Sequence, residues 1–253
     1  MVERSSAGDP ARTLALLWRA PGEPRPSRGP RQRTTVDAVV SAAIDLADAD
    51  GLDALTMRAV AGRLGITAMS VYTYVPGKAE LLDLMLDAVY RDMPRADLGR
   101  MRWRTRVSTI AAENRNLLAR HRWVIRMGTT RPPLGPGMAA KYEHELTAFD
   151  GLGLTDLEMD SALTYVLGFV TAVAGIAADT DEAAAGSGVS DHSWWESAAP
   201  LLAEVFDASA FPLAARVGAA AGQAHDSAYS ATHAYDFGLA RVLDGLAPLI
   251  ERS

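Results

Sequence analysis

A chain of 253 residues, 49% of them hydrophobic with alanine prominent, is long enough to bury a substantial core and is rich in helix formers. It has no cysteine, which excludes a disulfide framework, a thiolate zinc site and a cysteine nucleophile. The net charge of −6 is uneven. Residues 1–91 hold 11 basic and 11 acidic side chains, whereas residues 92–253 hold 14 basic and 20 acidic, so any nucleic-acid footprint has to be sought locally.

Residues 1–33 are rich in Pro, Arg and Gly and show little periodicity and no core-forming face, which predicts a flexible basic arm. Pro21, Pro24, Pro26 and Pro30 favour extended backbone, and Arg25, Arg28, Arg31 and Arg33 cluster with no acid among them. The run Leu14 to Trp18 is too short for a secretory h-region. From Thr34 the pattern becomes helical. A Thr-x-x-Asp start signal (Thr34, Asp37) precedes apolar residues at 36, 39, 40, 43, 44 and 46, and Gly51 closes the run.

Two short helices are expected next. Thr56 can cap the first, with Leu55 and Val60 placed to staple it, and Thr67 the second, with Ile66 and Val71 in the same relation. Gly65 sits between them where a left-handed turn residue is needed. Two short helices, a glycine turn and a repeated staple make a helix-turn-helix. A longer helix follows from about Pro76, then others at about 103–121 and 137–149, and a long one from a Thr155–Glu158 capping box. Thr180 to Asp191 has a loop-like composition. The last helix carries Tyr235, Leu239, Val242, Leu246 and Leu249 as a narrow seam. No strand signal is present, so the fold class is all-α, with a DNA-binding unit over residues 34–91 and a helical unit over 92–253.

No catalytic constellation appears: there is no Gly-x-Ser-x-Gly elbow, phosphate-cradling loop or His-Glu-x-x-His pair. The five histidines are scattered. No catalytic residue, metal site or cofactor is therefore expected. The longest apolar stretch, Tyr165 to Ala178, falls short of the roughly 20 residues of a membrane span, and a soluble, cytoplasmic protein without a membrane partner is expected.

In a helix-turn-helix the second helix enters the major groove, N-terminal residues toward the bases. That face would carry Thr67, Ala68, Met69, Ser70 and Thr73, with Val71 and Val75 turned inward. Tyr72 and Tyr74 can direct their hydroxyls to phosphate oxygens. Lys78 stands at a helix start, where a cation opposes the macrodipole at a cost of up to about 1 kcal/mol. It either converges with that helix end on a phosphate or is simply a solvated lysine.

The segment LTMRAVAGRLGITAMSVYTYVPGKAELLDLML resembles the DNA-binding segment of the TetR family of bacterial transcriptional regulators. Leu64, Gly65, Ile66, Tyr72, Tyr74, Val75, Lys78, Leu81 and Leu82 carry the resemblance over about residues 34–91. Tyr74 stands where many members have histidine. The resemblance implies that Thr67, Ser70, Tyr72, Tyr74 and Lys78 contact phosphates or sugars and that Ala68, Met69 and Thr73 face bases. It matches Arg58 to a position from which some members reach guanine, against a plain reading as a solvated arginine. It also implies a homodimer through the helix from Thr155 and the C-terminal helix, where Gly168 and Gly175 permit close approach. The C-terminal half is similar to the tetracycline-repressor-like subgroup. A tetracycline–metal site is not expected, because no histidine precedes His121.

Two readings stand for the arm: Arg25, Arg28, Arg31 and Arg33 enter an adjacent minor groove, or they form a tail attracted nonspecifically to the duplex. Trp123, Met127, Tyr142, Phe149, Tyr165, Phe169, Trp194, Trp195 and Phe206 are candidates for an effector cavity, against a plain reading as helix-packing core. The leading functional reading is a double-stranded-DNA-binding repressor released from its operator by a small hydrophobic or aromatic effector. The competing ones are a regulator without an effector, an activator, a DNA-bound structural protein, and an enzyme with a nucleic-acid-binding appendage.

Overall fold

The computed structural model describes residues 8–20, 34–127 and 131–251. Among these there are twelve helices and no strand. They are α1 (Pro10–Leu17), α2 (Val36–Ala54), α3 (Met57–Leu64), α4 (Ala68–Tyr74), α5 (Lys78–Arg91), α6 (Trp103–Arg120), α7 (Trp123–Arg126), α8 (Pro136–Leu146), α9 (Asp156–Ser187), α10 (Asp191–Val205), α11 (Pro212–His225) and α12 (Ala231–Ile250). The chain divides into two units, one up to Leu167 and one from Gly168 onward, with α9 running through the boundary.

In the first unit α2, α3 and α4 pack on one another and α2 packs on α5. Val39, Ala43, Leu55, Val60, Val71, Val75, Leu81 and Met85 form a closed apolar centre. The start of α2 corrects the sequence expectation. Thr35, not Thr34, is the cap, its side chain accepting from the Ala38 N–H, because the cap oxygen must lie three residues before its donor. Gly51, at φ 79°, kinks the last turn of α2, which continues to Ala54. The α3–α4 turn follows the sequence signals. Gly65 is left-handed at φ 65°, and the Ile66 N–H returns to the Ala61 carbonyl, as in a Schellman stop.

Part of the N-terminal segment is structured, contrary to its weak periodicity. Asp9 caps α1 by accepting from the Ala11 and Arg12 N–H groups, and Pro10 occupies the first turn. One turn apart, Thr13 and Leu17 are buried, and α1 packs on α5. Trp18 donates to the Leu134 carbonyl at 2.8 Å and Arg19 pairs with Asp37 of α2. A single helical turn of apolar spacing is too short to register as periodicity, and the cap and the tertiary bonds supply the rest. Arg25, Arg28, Arg31 and Arg33 lie outside the described residues.

Helix α8 packs closely on α5 and carries a buried ion pair. Lys141 Nζ donates to Glu145 Oε1 at 2.6 Å, the same oxygen accepts from Asn114 of α6 at 2.5 Å, and the ammonium lies 5.1 Å from the centre of the Tyr90 ring. Burial holds Lys141 below its ordinary range and Glu145 partly restores it. At the start of α9, Thr155 and Glu158 make the expected box, the Thr155 N–H donating to Glu158 Oε2 at 2.9 Å and the Glu158 N–H to Thr155 Oγ1 at 3.3 Å.

In the second unit, most of the stretch expected as a loop from Thr180 is helix. The run Thr-Asp-Glu-Ala-Ala-Ala continues α9, and the break shrinks to Gly188, at φ 69°, before Ser190 caps α10. Among the described residues α9 is the one helix long and apolar enough to cross a membrane by length and composition, and 28% of its most apolar window is buried within the chain. The seam of α12 is turned into the chain: Tyr235, Val242 and Leu246 are buried, while Phe237 faces out. Gly238 lies against Phe169, where a Cβ would collide with the ring.

Candidate nucleic-acid interface and its support

Helix α4 is seated by Val71 and Val75, both fully buried, and fixed at its start by Thr67, whose side chain accepts from the Ser70 N–H at 3.2 Å. The opposite face is presented outward. Met69 is 75% exposed, Thr67, Tyr72 and Thr73 are exposed, and Ala68, Ser70 and Tyr74 are half-buried. Neither tyrosine hydroxyl has a partner among the described residues, so both can bond to groups from outside the chain. The small hydroxyls are also engaged locally: Thr67 Oγ1 and Ser70 Oγ lie 2.8 Å apart, and Thr73 Oγ1 donates to the Ser70 carbonyl at 2.6 Å. A hydroxyl holds one donor and two acceptor sites, so these bonds orient the groups without exhausting them. Arg58 is exposed in the first turn of α3.

Lys78 has a role that its sequence position does not reveal. Its Nζ donates to the Leu52 carbonyl at 3.3 Å, at the end of α2. The amine therefore joins two helix ends, with a negative carbonyl terminus compensating for its unfavourable place on the α5 dipole. Gly77 begins α5 without a side-chain cap, leaving the first-turn N–H groups beside Lys78. Glu80, buried in that turn, accepts from the Asp9 N–H at 3.4 Å, tying α1 to α5.

Two polar links join these helices to the rest of the first unit, and the sequence signalled neither. Asp87 of α5 accepts at Oδ1 from the Met138 N–H at 2.9 Å, and the neighbouring Gly137 N–H also favours its charged form. It thus caps α8, whose own cap position, Gly135, offers no side chain. Gly135 and Gly137 are required there, since a Cβ at either would collide with Asp87. In the second link, Asp48 of α2 accepts from His121 Nδ1 at 2.9 Å and from Trp123 Nε1 at 2.7 Å.

Each aromatic residue proposed for an effector cavity has its own immediate surroundings. Trp123 is buried and committed to Asp48, while Met127 and Phe149 are buried core. Tyr142 donates to Asp160 at 2.8 Å near the surface, and Tyr165 is exposed. Phe169 stacks on Tyr235 with ring centres 6.0 Å apart, Trp195 packs on Gly222, and Trp194 is exposed. Phe206 lies against Phe211 at 5.8 Å. None of the nine lines the cavity of about 400 Å³ bordered by residues of α2, α5 and α6 with Leu17 and Arg19, or the one of about 370 Å³ beside α1.

Comparison with known proteins accounts for both halves of the chain. Residues 39–85 match the family described as bacterial regulatory proteins, tetR family, and residues 94–250 match the tetracyclin repressor-like C-terminal domain. The chain is 42% identical over 250 residues to the HTH-type transcriptional repressor DrrR1 of Streptomyces coeruleorubidus, covering 98% of this chain and 90% of that one. It is 35% identical over 174 residues to an HTH-type transcriptional regulator of Saccharopolyspora erythraea, covering 66% and 73%. Among solved structures, the Streptomyces coelicolor TetR family protein ActR in complex with actinorhodin aligns with a TM-score of 0.71 at 26% identity, over 87% of this chain and 98% of that one. ActR in complex with (S)-DNPA aligns at 0.67 and 26%, over 85% and 98%.

Proposed function

The chain belongs to the TetR family of helix-turn-helix transcriptional regulators, and on that premise we propose that it is a homodimeric repressor released from its operator by a small aromatic or hydrophobic effector. The observation that carries DNA recognition is the outward face of α4. A helix fixed from below by Val71 and Val75 offers Met69 and Thr73 to base edges, with Ala68 letting the backbone approach, and Arg58 reaches a base from α3. Thr67, Ser70, Tyr72, Tyr74 and Lys78 hold the sugar–phosphate backbone, and Arg25, Arg28, Arg31 and Arg33 add contacts in the neighbouring minor groove.

The repressor reading is supported by the relative named a repressor, and the effector reading by the ActR complexes with actinorhodin and (S)-DNPA. The dimer is built on α9 and α12, where exposed Leu157, Tyr165, Ile176 and Phe237 are covered by the same helices of a second copy. A Cβ at Gly168 would meet nothing among the described residues, which leaves α9 open to a close partner. This gives the long apolar helix a protein environment and no membrane. The protein then acts in the cytoplasm, on the nucleoid, without catalysing a reaction.

Footprinting on the DNA flanking the protein's own gene tests the reading. Protection of two half-sites about 34–36 Å apart is expected from a dimer. Protection that persists unchanged in a Met69→Ala/Tyr72→Phe/Lys78→Ala variant would remove α4 from the interface. Effector release requires tighter binding of the ligand to the DNA-free form, so equal affinity for free and operator-bound protein would refute it.

A further inference from the structure

The open cavity lined by α2, α5 and α6, with Leu17 and Arg19 on its wall, has a volume of about 400 Å³, within the range of roughly 300–1,000 Å³ typical of small-molecule sites. Val40, Ile44, Leu84, Ala88 and Leu117 make its apolar walls. Its rim is charged, and nearly every charge there is committed. Arg19 pairs with Asp37, Arg91 Nε with Asp92 Oδ1 at 3.1 Å, Glu113 with His144 at 2.8 Å, and His121 with Asp48.

Two charges stand apart. Arg120, exposed, bonds nothing among the described residues, and an exposed guanidinium confers little on an anion. Asp87, only 4% exposed, lines the cavity and forms no ion pair among the described residues. Its hydrogen bond is from the Met138 N–H of α8, and the arginines that act on it electrostatically, Arg91 and Arg19, are held by Asp92 and Asp37. Burial pushes its carboxyl up despite them. A buried carboxylate gains far more from an incoming cation than an exposed arginine gains from an anion.

We propose that this cavity binds an amphipathic organic amine, its ammonium on Asp87 and its apolar body against Val40, Ile44, Leu84 and Leu117. The inference rests on the effector reading above and gives that effector a site and a charge. The ammonium competes with the Met138 N–H of α8 for the Asp87 carboxylate. Binding thereby loosens the cap that joins α5 to α8 and favours a form in which α2 to α5 no longer present α4 to the operator.

The probe is dansylcadaverine, a fluorescent amine with an aromatic body, and the control is its N-acetyl derivative, which has the same body without the charge. The full-length protein is titrated with both in the absence of DNA. At least about tenfold preference for the amine is expected, as one charge-assisted bond supplies. Asp87→Asn should erase the preference, and Ser41→Trp, which fills the cavity from an exposed position on α2, should abolish binding of both. Equal binding of amine and acetyl derivative, or binding that Ser41→Trp leaves intact, overturns the proposal. Should Asp87→Asn fail to fold, the amine-to-acetyl ratio and the Ser41→Trp variant decide the matter. A second titration with operator DNA separates the two readings. Selective amine binding without release from the operator keeps the site and refutes the effector reading. Release that survives in Ser41→Trp places the effector elsewhere and refutes the site.

Discussion

Helices α4 and α8 begin in opposite ways. Helix α4 is capped by the residue before it, Thr67, and stapled by its own neighbours. Helix α8 begins at Gly135 with no side-chain cap of its own and takes one from Asp87, on α5. The first arrangement makes a short helix that can stand out from its domain and meet a duplex. The second makes the start of a helix depend on the position of another, so that α8 and α5 cannot move apart without breaking the cap bond. Recognition is built from local bonds and its support from distant ones.

The largest effect is expected where the distant arrangement is broken. Asp87→Ala should cost about 2–3 kcal/mol in urea denaturation, since it removes the partner of the Met138 N–H and opens space beneath it. Gly137→Ala should approach that loss, because its Cβ would meet the Asp87 backbone carbonyl and not a flexible side-chain tip. Stability within about 0.5 kcal/mol of wild type in either variant would show that α8 is capped in another way. On the local side, Thr67→Ala should cost about 1 kcal/mol and no more, as the loss of one cap bond does. A larger loss would mean that α4 depends on tertiary contacts to the extent that α8 does.

For DNA, Lys78→Ala should lower operator affinity uniformly across sequences and reduce the salt slope by about 1, measured by fluorescence anisotropy against ionic strength. A small fall in melting temperature should accompany it, from the lost bond to Leu52. An unchanged slope would assign Lys78 to the joining of helices alone. The smallest effect concerns pH. The Asp87 carboxyl lies above its ordinary value of 3.8, so the folded chain takes up its proton at higher pH than the unfolded chain does. Wild type should therefore gain stability relative to Asp87→Asn as pH falls through the folded value toward 3.8, and lose that gain as pH rises. A parallel pH dependence in the two proteins would contradict the burial of the charge.

The sequence alone determined those elements whose signals lie within a few residues of one another. The Thr56 and Thr67 caps, the left-handed Gly65, the Thr155–Glu158 box and the inward Val71 and Val75 all came through, because each is a bond or a dihedral between near neighbours. The face proposed for DNA is what remains of α4 once its buried side is known. Tertiary structure decided everything that joins elements distant in sequence. It made α1 a helix by giving Leu17 a surface and Arg19 a partner, tied Lys78 to Leu52, placed Trp123 on Asp48, and set Asp87 on α8. The physical reason is the same in each case. A carboxylate, an amine or an indole has many possible partners along a chain, and which of them it meets is fixed only when hydrophobic burial has brought the helices together.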